Sequence, residues 1–229
     1  IDVTAVNDVP VFTNLDGTPA FTEGGSAQVL DANVTVADVE LDALNGGAGN
    51  YNGAVLTIAR NGGANTNDVF SAAGTLSALT EGVNFSVGGS VVGTVTTNSG
   101  GTLVLTFSDA SVTPTTALVN SALQQIAYAN SSNDPAASAQ LDWTFSDGNS
   151  GNAQGTGDNP GNSTGSTTVS VANVNDAPTL TATGGNPTYT ENGGAQDLFN
   201  TVTASTVEAA DRFTSLSLTV TNVSDGASE

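Results

Sequence analysis

Beyond residue 26 the chain alternates apolar and polar positions in short runs, separated by clusters of Gly, Asn, Ser and Asp. A period of two, rich in Val, Thr, Ile and Phe, marks half-buried strands. It predicts strands at 27–36, "AVLTIAR" 54–60, "NFSVG" 84–88, "SVVGTVTT" 90–97, "TLVLTF" 102–107, "QIAYAN" 125–130, "QLDWTFS" 140–146 and "STTVSVANV" 166–174. Only "TTALVNSALQQ" 115–125 has helical spacing, with Leu118, Ala122 and Ile126 on one side, and a short helix crossing between sheets is expected there. Short strands divided by turn residues in this number predict an all-β antiparallel sandwich. Residues 147–165, "DGNSGNAQGTGDNPGNSTG", read as a long loop before the last strand, either an insertion or a functional segment.

The pattern repeats. "VNDVP" at 6–10 returns as "VNDAP" at 174–178, with Asp8 and Asp176 separated by 168 positions. The same offset places Ile1 on Val169, Val6 on Val174, Thr22–Glu23 on Thr190–Glu191, Leu30 on Leu198, Val34 on Val202 and Val39–Glu40 on Val207–Glu208. A match held in register over that distance indicates an internal repeat. The expected organisation is 1–8 as the end of a preceding repeat and its linker, 9–175 as one sandwich, and 176–229 as a linker with the first strands of the next. The opening "IDVTAVNDVP" reads as the middle of a longer polypeptide.

Charge narrows the function. Across 229 residues, 22 acidic side chains face two arginines, Arg60 and Arg212, and the net charge is −20. Such a surface repels nucleic acid and anionic membrane, and neither is an expected partner. No apolar stretch is long enough to span a bilayer, so no membrane insertion is expected. The chain contains no Cys, His or Met. Zinc and copper sites of soft or nitrogen ligands, a cysteine nucleophile and a Ser–His dyad are therefore excluded.

So few cations can pair only a few carboxylates, and crowded acids must protonate or take up a metal ion. The acids gather at expected strand ends and turns: Asn7–Asp8, Glu23, the "DVELD" of Asp38, Glu40 and Asp42, Asn133–Asp134, and Asp147 with Asn149. Alternate loops of a sandwich share an end, so Asp8, Asp38, Glu40 and Asp147 are expected together at one end. Glu23, the 131–137 turn and Asn175–Asp176 are expected at the other. Oxygen-only clusters suit hard cations, and calcium accepts carboxylates, amide oxygens and backbone carbonyls in flexible geometry. The competing reading is solvated surface charge in ordinary Asx turns.

The ordered set of "VNDAP", "TEGG" or "TENGG" after each such word, "DVE" at 38–40, "YANSSNDP", "LDWTFSDGNSG" and "TTVSVANVNDAP" resembles the cadherin-like, immunoglobulin-like repeats of giant bacterial surface adhesins. The resemblance covers essentially residues 1–178. It implies Greek-key sandwiches in tandem with Ca2+ at their junctions, in an extracellular or cell-surface protein of cell adhesion or biofilm matrix. By motif it assigns Asn7, Asp8, Asp38, Glu40 and Asp147 to an upper junction. Glu23, Asp134, Asn175 and Asp176 fall to a lower one, and the repeat offset adds Glu191 and Glu208. Thr206 stands where the first repeat has Asp38, which predicts weaker calcium binding in the second. Neighbouring repeats or identical subunits are the implied partners, with cell-surface carbohydrate or protein as a further target.

Other functions compete with this one. A filament subunit assembled by strand donation needs unpaired edge strands. A carbohydrate-binding module needs exposed aromatic platforms, but Trp143 alternates with Leu141 and Phe145 on a core face, leaving Tyr51 as the aromatic to nominate. A glycosidase needs a distinguished carboxylate pair and aromatic cleft walls. Neither is evident, so no enzymatic activity is expected.

Overall fold

Leu141, Trp143 and Phe145 turn to one side of their strand and have no solvent exposure. A computed structural model describes the chain except residues 3, 110, 150–153, 157–160 and 222–229. The first of two compact units spans Ile1–Val174. Its elements run β1 (Val11–Thr13), β2 (Ala20–Thr22), β3 (Gln28–Val29), β4 (Thr35–Ala37), α1 (Val39–Gly47), β5 (Val55–Arg60), β6 (Asp68–Ala72), β7 (Asn84–Val87), β8 (Ser90–Ser99), β9 (Thr102–Phe107), α2 (Thr116–Leu123), β10 (Ile126–Asn130), β11 (Ser138–Ser146) and β12 (Asn162–Ala172). The fold is all-β: mostly strands, with two short helices.

A seven-stranded sheet runs in the order β2-β12-β11-β5-β9-β8-β7, and a three-stranded sheet runs β3-β10-β6. Register aligns the inward residues in rows. Phe145 lies opposite Leu56, which lies opposite Leu105; Trp143 lies opposite Ile58, which lies opposite Leu103. Cross-strand neighbours on one face supply much of a sheet's stability. Phe70 and Tyr128 of the smaller sheet join the same buried cluster, and Phe12 packs edge-on to Trp143 and Phe145 at 6.4 and 6.2 Å. Among the described residues two pairings depart from the antiparallel expectation: β2 joins β12 in parallel, and Val6 bridges Thr156 in parallel.

The expected strand 27–36 is broken into β3 and β4. The cause is Asp31, which is 2% exposed. Its Oδ1 accepts the N–H groups of Asn33 and Val34, and its Oδ2 those of Asp16 and Gly17, at 2.7–3.0 Å. A carboxylate that collects nearby backbone donors replaces ladder bonds with a turn. The helix expected at 115–125 is α2, opened by the Thr115 hydroxyl accepting from Leu118 N–H. Its buried face is Val119, Ala122 and Leu123, with Leu118 only partly covered, and Ile126 belongs to β10. The strand expected from 166 begins at Asn162. The inner parts of the 147–165 loop lie outside the described residues.

The second unit, Asn175–Glu229, contains β13 (Thr179–Gly184) and β14 (Phe199–Ser205). Its pairs Thr179↔Ser205, Leu180↔Ala204 and Thr181↔Thr203 reproduce Val11↔Ala37, Phe12↔Val36 and Thr13↔Thr35 of the first unit, each displaced by the repeat offset on both strands. Smaller details recur as well. Gly25 N–H donates to Thr22 O and Gly193 N–H to Thr190 O, both at 2.8 Å, and Gln28 and Gln196 each return a side-chain bond two residues back. The sequence repeat is thus a repeat of structure over this stretch. Among the described residues no helix is long and apolar enough to cross a membrane.

Candidate functional site

The "DVELD" acids sit on a helix start rather than in the turn expected from sequence. Asp38 is the N-cap, with extended backbone, and its Oδ1 accepts the Leu41 N–H at 2.8 Å. Asp42 reaches back from the other side, its Oδ2 accepting the Asp38 N–H at 3.2 Å. Capping by an aspartate and acids in the first turn both offset the positive helix start. The helix is brief, because Leu44 leaves helical geometry and Asn45 and Gly46 take positive φ.

Asp38 is 2% exposed, yet its Oδ2 has no hydrogen-bond partner. Burial pushes its carboxyl up from 3.8 to about 6, and the charges of Glu40 and Asp147 push the same way against the opposing Leu41 N–H.

Four more of the predicted residues meet here. The Asp8 N–H donates to Glu40 Oε2 at 3.2 Å. Asn7 Nδ2 donates to Asp147 Oδ2 at 2.8 Å and to its neighbour's carbonyl, Asp8 O, at 3.1 Å. Asp147 is wholly buried, and its Oδ1 accepts from Asn149 N–H at 2.9 Å and Gly161 N–H at 3.1 Å. A Cβ on Gly161 would stand 2.7 Å from Asp147 Oδ2 and 3.1 Å from Asn7 Nδ2, so a larger residue there would press on both side chains. The chain entering at Asn7 is held by exchange with Thr156: Asn7 N–H to Thr156 O and Thr156 N–H to Ala5 O, both 3.0 Å. Asn7, Asp8, Asp38, Glu40 and Asp147 therefore lie together, joining the entering segment, α1 and the loop after β11.

Elsewhere in the first unit the predicted acids are less gathered. Glu23 Oε2 accepts the Val174 N–H at 2.9 Å and so holds the end of the unit. Asp134 is exposed and accepts from Asn173 Nδ2 at 3.4 Å. Within the second unit, the Asp176 N–H donates to Glu208 and Asn175 Nδ2 donates to Asp176 O at 3.1 Å, matching the first unit's bonds residue for residue. Glu208 Oε2 and Asp176 Oδ2 are buried and without hydrogen-bond partners. Arg212 lines a cleft of about 360 Å³ there with Asn175, Asp176, Thr206 and Asp211. Glu191 stands exposed in the turn equivalent to that of Glu23.

Several residues escaped the sequence reading. Tyr51, nominated as a ligand platform, has no solvent exposure; its hydroxyl donates to Asp42 Oδ1 at 2.8 Å. Burial first, and then the Asp42 carboxylate, push that hydroxyl's pKa far above the ordinary tyrosine value. Thr116 Oγ1 donates to the same oxygen at 2.5 Å. Far from this cluster, Arg60 Nε donates to the buried Asp68 at 2.8 Å, with Tyr128 and Asn130 completing the carboxylate's shell. The alternating pattern could not show these partners, because a period of two marks which face a side chain takes and not which polar group it meets on another element.

Among the described residues no group of three or more aspartates and glutamates has the arrangement of a metal site. Comparison with protein-family models, curated proteins and solved structures finds no match for this chain.

Proposed function

We propose that the chain is a calcium-binding structural repeat of an extracellular adhesive protein, built on immunoglobulin- or cadherin-like sandwiches in tandem. The observation that carries this reading is Asp38 Oδ2, a carboxylate oxygen buried without a hydrogen bond beside Glu40 and Asp147. An anion desolvated among like charges needs a cation or a proton. The donors present are all oxygens, carboxylates supplemented by the Asn7 amide, and this set fits calcium. Asp38, Glu40, Asp8, Asp147 and Asn7 would hold the ion in the first unit. Asp176, Glu208 and Asn175 would do so in the second, with Glu23, Asp134 and Glu191 contributing at the far ends of the repeats.

Calcium would supply charge neutralisation and a cross-link. The protein's own residues do the positioning. Asp8 and Glu40 hold the entering segment against α1, Asn7 and Asp147 hold it against the loop after β11, and Pro10 fixes φ as the chain enters β1. The role is mechanical, a tether made stiff where each repeat begins. The carbohydrate-module reading loses its aromatic platform, since Tyr51 is buried.

Small-angle scattering of the chain in calcium and in EDTA tests the reading. A longer, stiffer particle in calcium is expected, together with a higher melting temperature. Identical profiles and identical melting would overturn it.

A further inference from the structure

Asp42 belongs to the acidic run that suggests a metal site, yet none of its bonds points that way. Its Oδ1 takes both hydroxyls of Tyr51 and Thr116, and its Oδ2 takes the Asp38 N–H. We propose that Tyr51, Thr116 and Asp42 form an anchor that positions Asp38 and Glu40 as calcium ligands, making Tyr51 and Thr116 positioning residues for the site. This rests on the calcium reading above and deepens it.

Three observations support the anchor. First, the ligand-bearing turn cannot hold itself. Helical geometry fails at Leu44, leaving about one turn, and isolated turns of that length are unstable in water. Its order must come from tertiary bonds, and the bond to the Asp38 N–H fixes the residue whose Oδ2 is left buried and unpartnered. Second, the anchor is closely built. Asn50 N–H returns to Leu41 O, Tyr51 N–H goes to Pro114 O, and Thr116 N–H goes to Ala48 O, tying α1 to the start of α2. Gly49 has φ +83°, and a Cβ there would stand 2.2 Å from Thr116 Oγ1, so any side chain would push the hydroxyl off Asp42.

Third, the second unit provides an internal contrast. At the repeat offset, Asp42 becomes Ala210, Tyr51 becomes Thr219 and Asp38 becomes Thr206, while Glu208 is kept. No helix forms at 206–210, and Val207 adopts φ +72°. The anchor and the buried capping carboxylate are lost together, as expected if one serves the other. Fixed second partners of metal ligands commonly govern affinity by 10–100-fold.

The test is calcium titration of the full chain by calorimetry, for the wild type, Tyr51→Phe, Thr116→Val and Thr116→Ser. Tyr51→Phe and Thr116→Val should each weaken the first-unit site about tenfold, leave the second-unit site unchanged, and be matched by retained affinity in Thr116→Ser. Denaturant melting in EDTA accompanies each titration. Lowered metal-free stability with wild-type affinity would overturn the positioning role and leave the calcium reading intact. Absence of binding by the wild type would overturn both. If Tyr51→Phe fails to fold, the two Thr116 variants decide the matter.

Discussion

Asp8 and Glu40, thirty-two residues apart, are joined by a bond from the Asp8 N–H to Glu40 Oε2, and Asp176 and Glu208 are joined the same way at the same separation. In each unit one residue lies in a "VND" word and the other just after the second strand of the first ladder, Glu40 in the first turn of α1 and Glu208 in a segment without helix. A repeated acid pair fixed by repeated backbone register is a designed contact point between an entering chain and the body it enters. The pair also lets the two units be compared chemically.

Glu40→Gln and Glu208→Gln should separate the two sites. Replacing a carboxylate by an amide keeps an acceptor for the N–H of Asp8 or Asp176 but removes the charge that a hard cation needs. Glu40→Gln is expected to lower affinity at the tighter site by about tenfold or more, and Glu208→Gln only at the weaker one. Titration calorimetry of both variants checks this. Under the calcium proposal the second unit should be the weaker site, because Thr206 replaces the Asp38 carboxylate and Arg212 already lines the same cleft.

Asp38 predicts a pH dependence of the metal-free protein. Its carboxyl is raised from 3.8 to about 6 on folding, chiefly by burial. Between those values the folded state binds more protons than the unfolded one, so the Asp38 contribution is fully present below about 4 and is lost as pH rises through about 6. In EDTA, wild-type stability should therefore fall relative to Asp38→Asn over that interval. Asparagine caps helices as well as aspartate does, so the cap itself is retained. Parallel denaturant melts of the two proteins between pH 4 and 7 give the difference directly, and a constant difference would refute it.

Asp31 makes a contrasting prediction. Four backbone N–H groups satisfy its buried carboxylate, which has no oxygen to spare for a metal. Asp31→Ala should cost about 3 kcal/mol, since bonds to a charged acceptor are individually worth about 1.5–3 kcal/mol and do not add. Chemical denaturation should show the loss equally in calcium and in EDTA.

These acids show what the sequence made legible. The core row of Trp143 and Phe145 follows from strict alternation, and the meeting of Asp8, Asp38, Glu40 and Asp147 at one end follows from the parity of the loops that carry them. Alternation in 27–36 shifts phase at Val29–Leu30, but nothing in that pattern names the partners of Asp31, and only the distant N–H groups of Asp16 and Gly17 reveal its role. The strands β1 and β2 have three residues each, so a period of two has little length over which to appear. The start of α1 did carry a signal, an aspartate followed by first-turn acids. It was obscured because the helix breaks at Leu44, before a helical stripe can form. Tyr51 lies in a Gly/Asn-rich loop that reads as exposed, and its burial depends on Asp42 and Phe145, the latter 5.9 Å away ring to ring.

The Arg60–Asp68 pair predicts a loss unrelated to calcium. The Asp68 side chain is fully enclosed and Arg60 supplies its counter-charge. Arg60→Ala leaves that charge to Tyr128 and Asn130 alone and should cost about 3–5 kcal/mol. A melt of the variant in EDTA, with calcium affinity at the first site unchanged, is the expected outcome.

Calcium titration of the wild-type chain by calorimetry tests the central claim most directly. The account predicts saturable binding at two unequal sites, with the tighter one near the 10⁻⁴–10⁻³ M range of extracellular modules. An absence of saturable heat across that range, with melting unmoved by calcium, would contradict it and leave the clustered carboxylates as surface and capping charge.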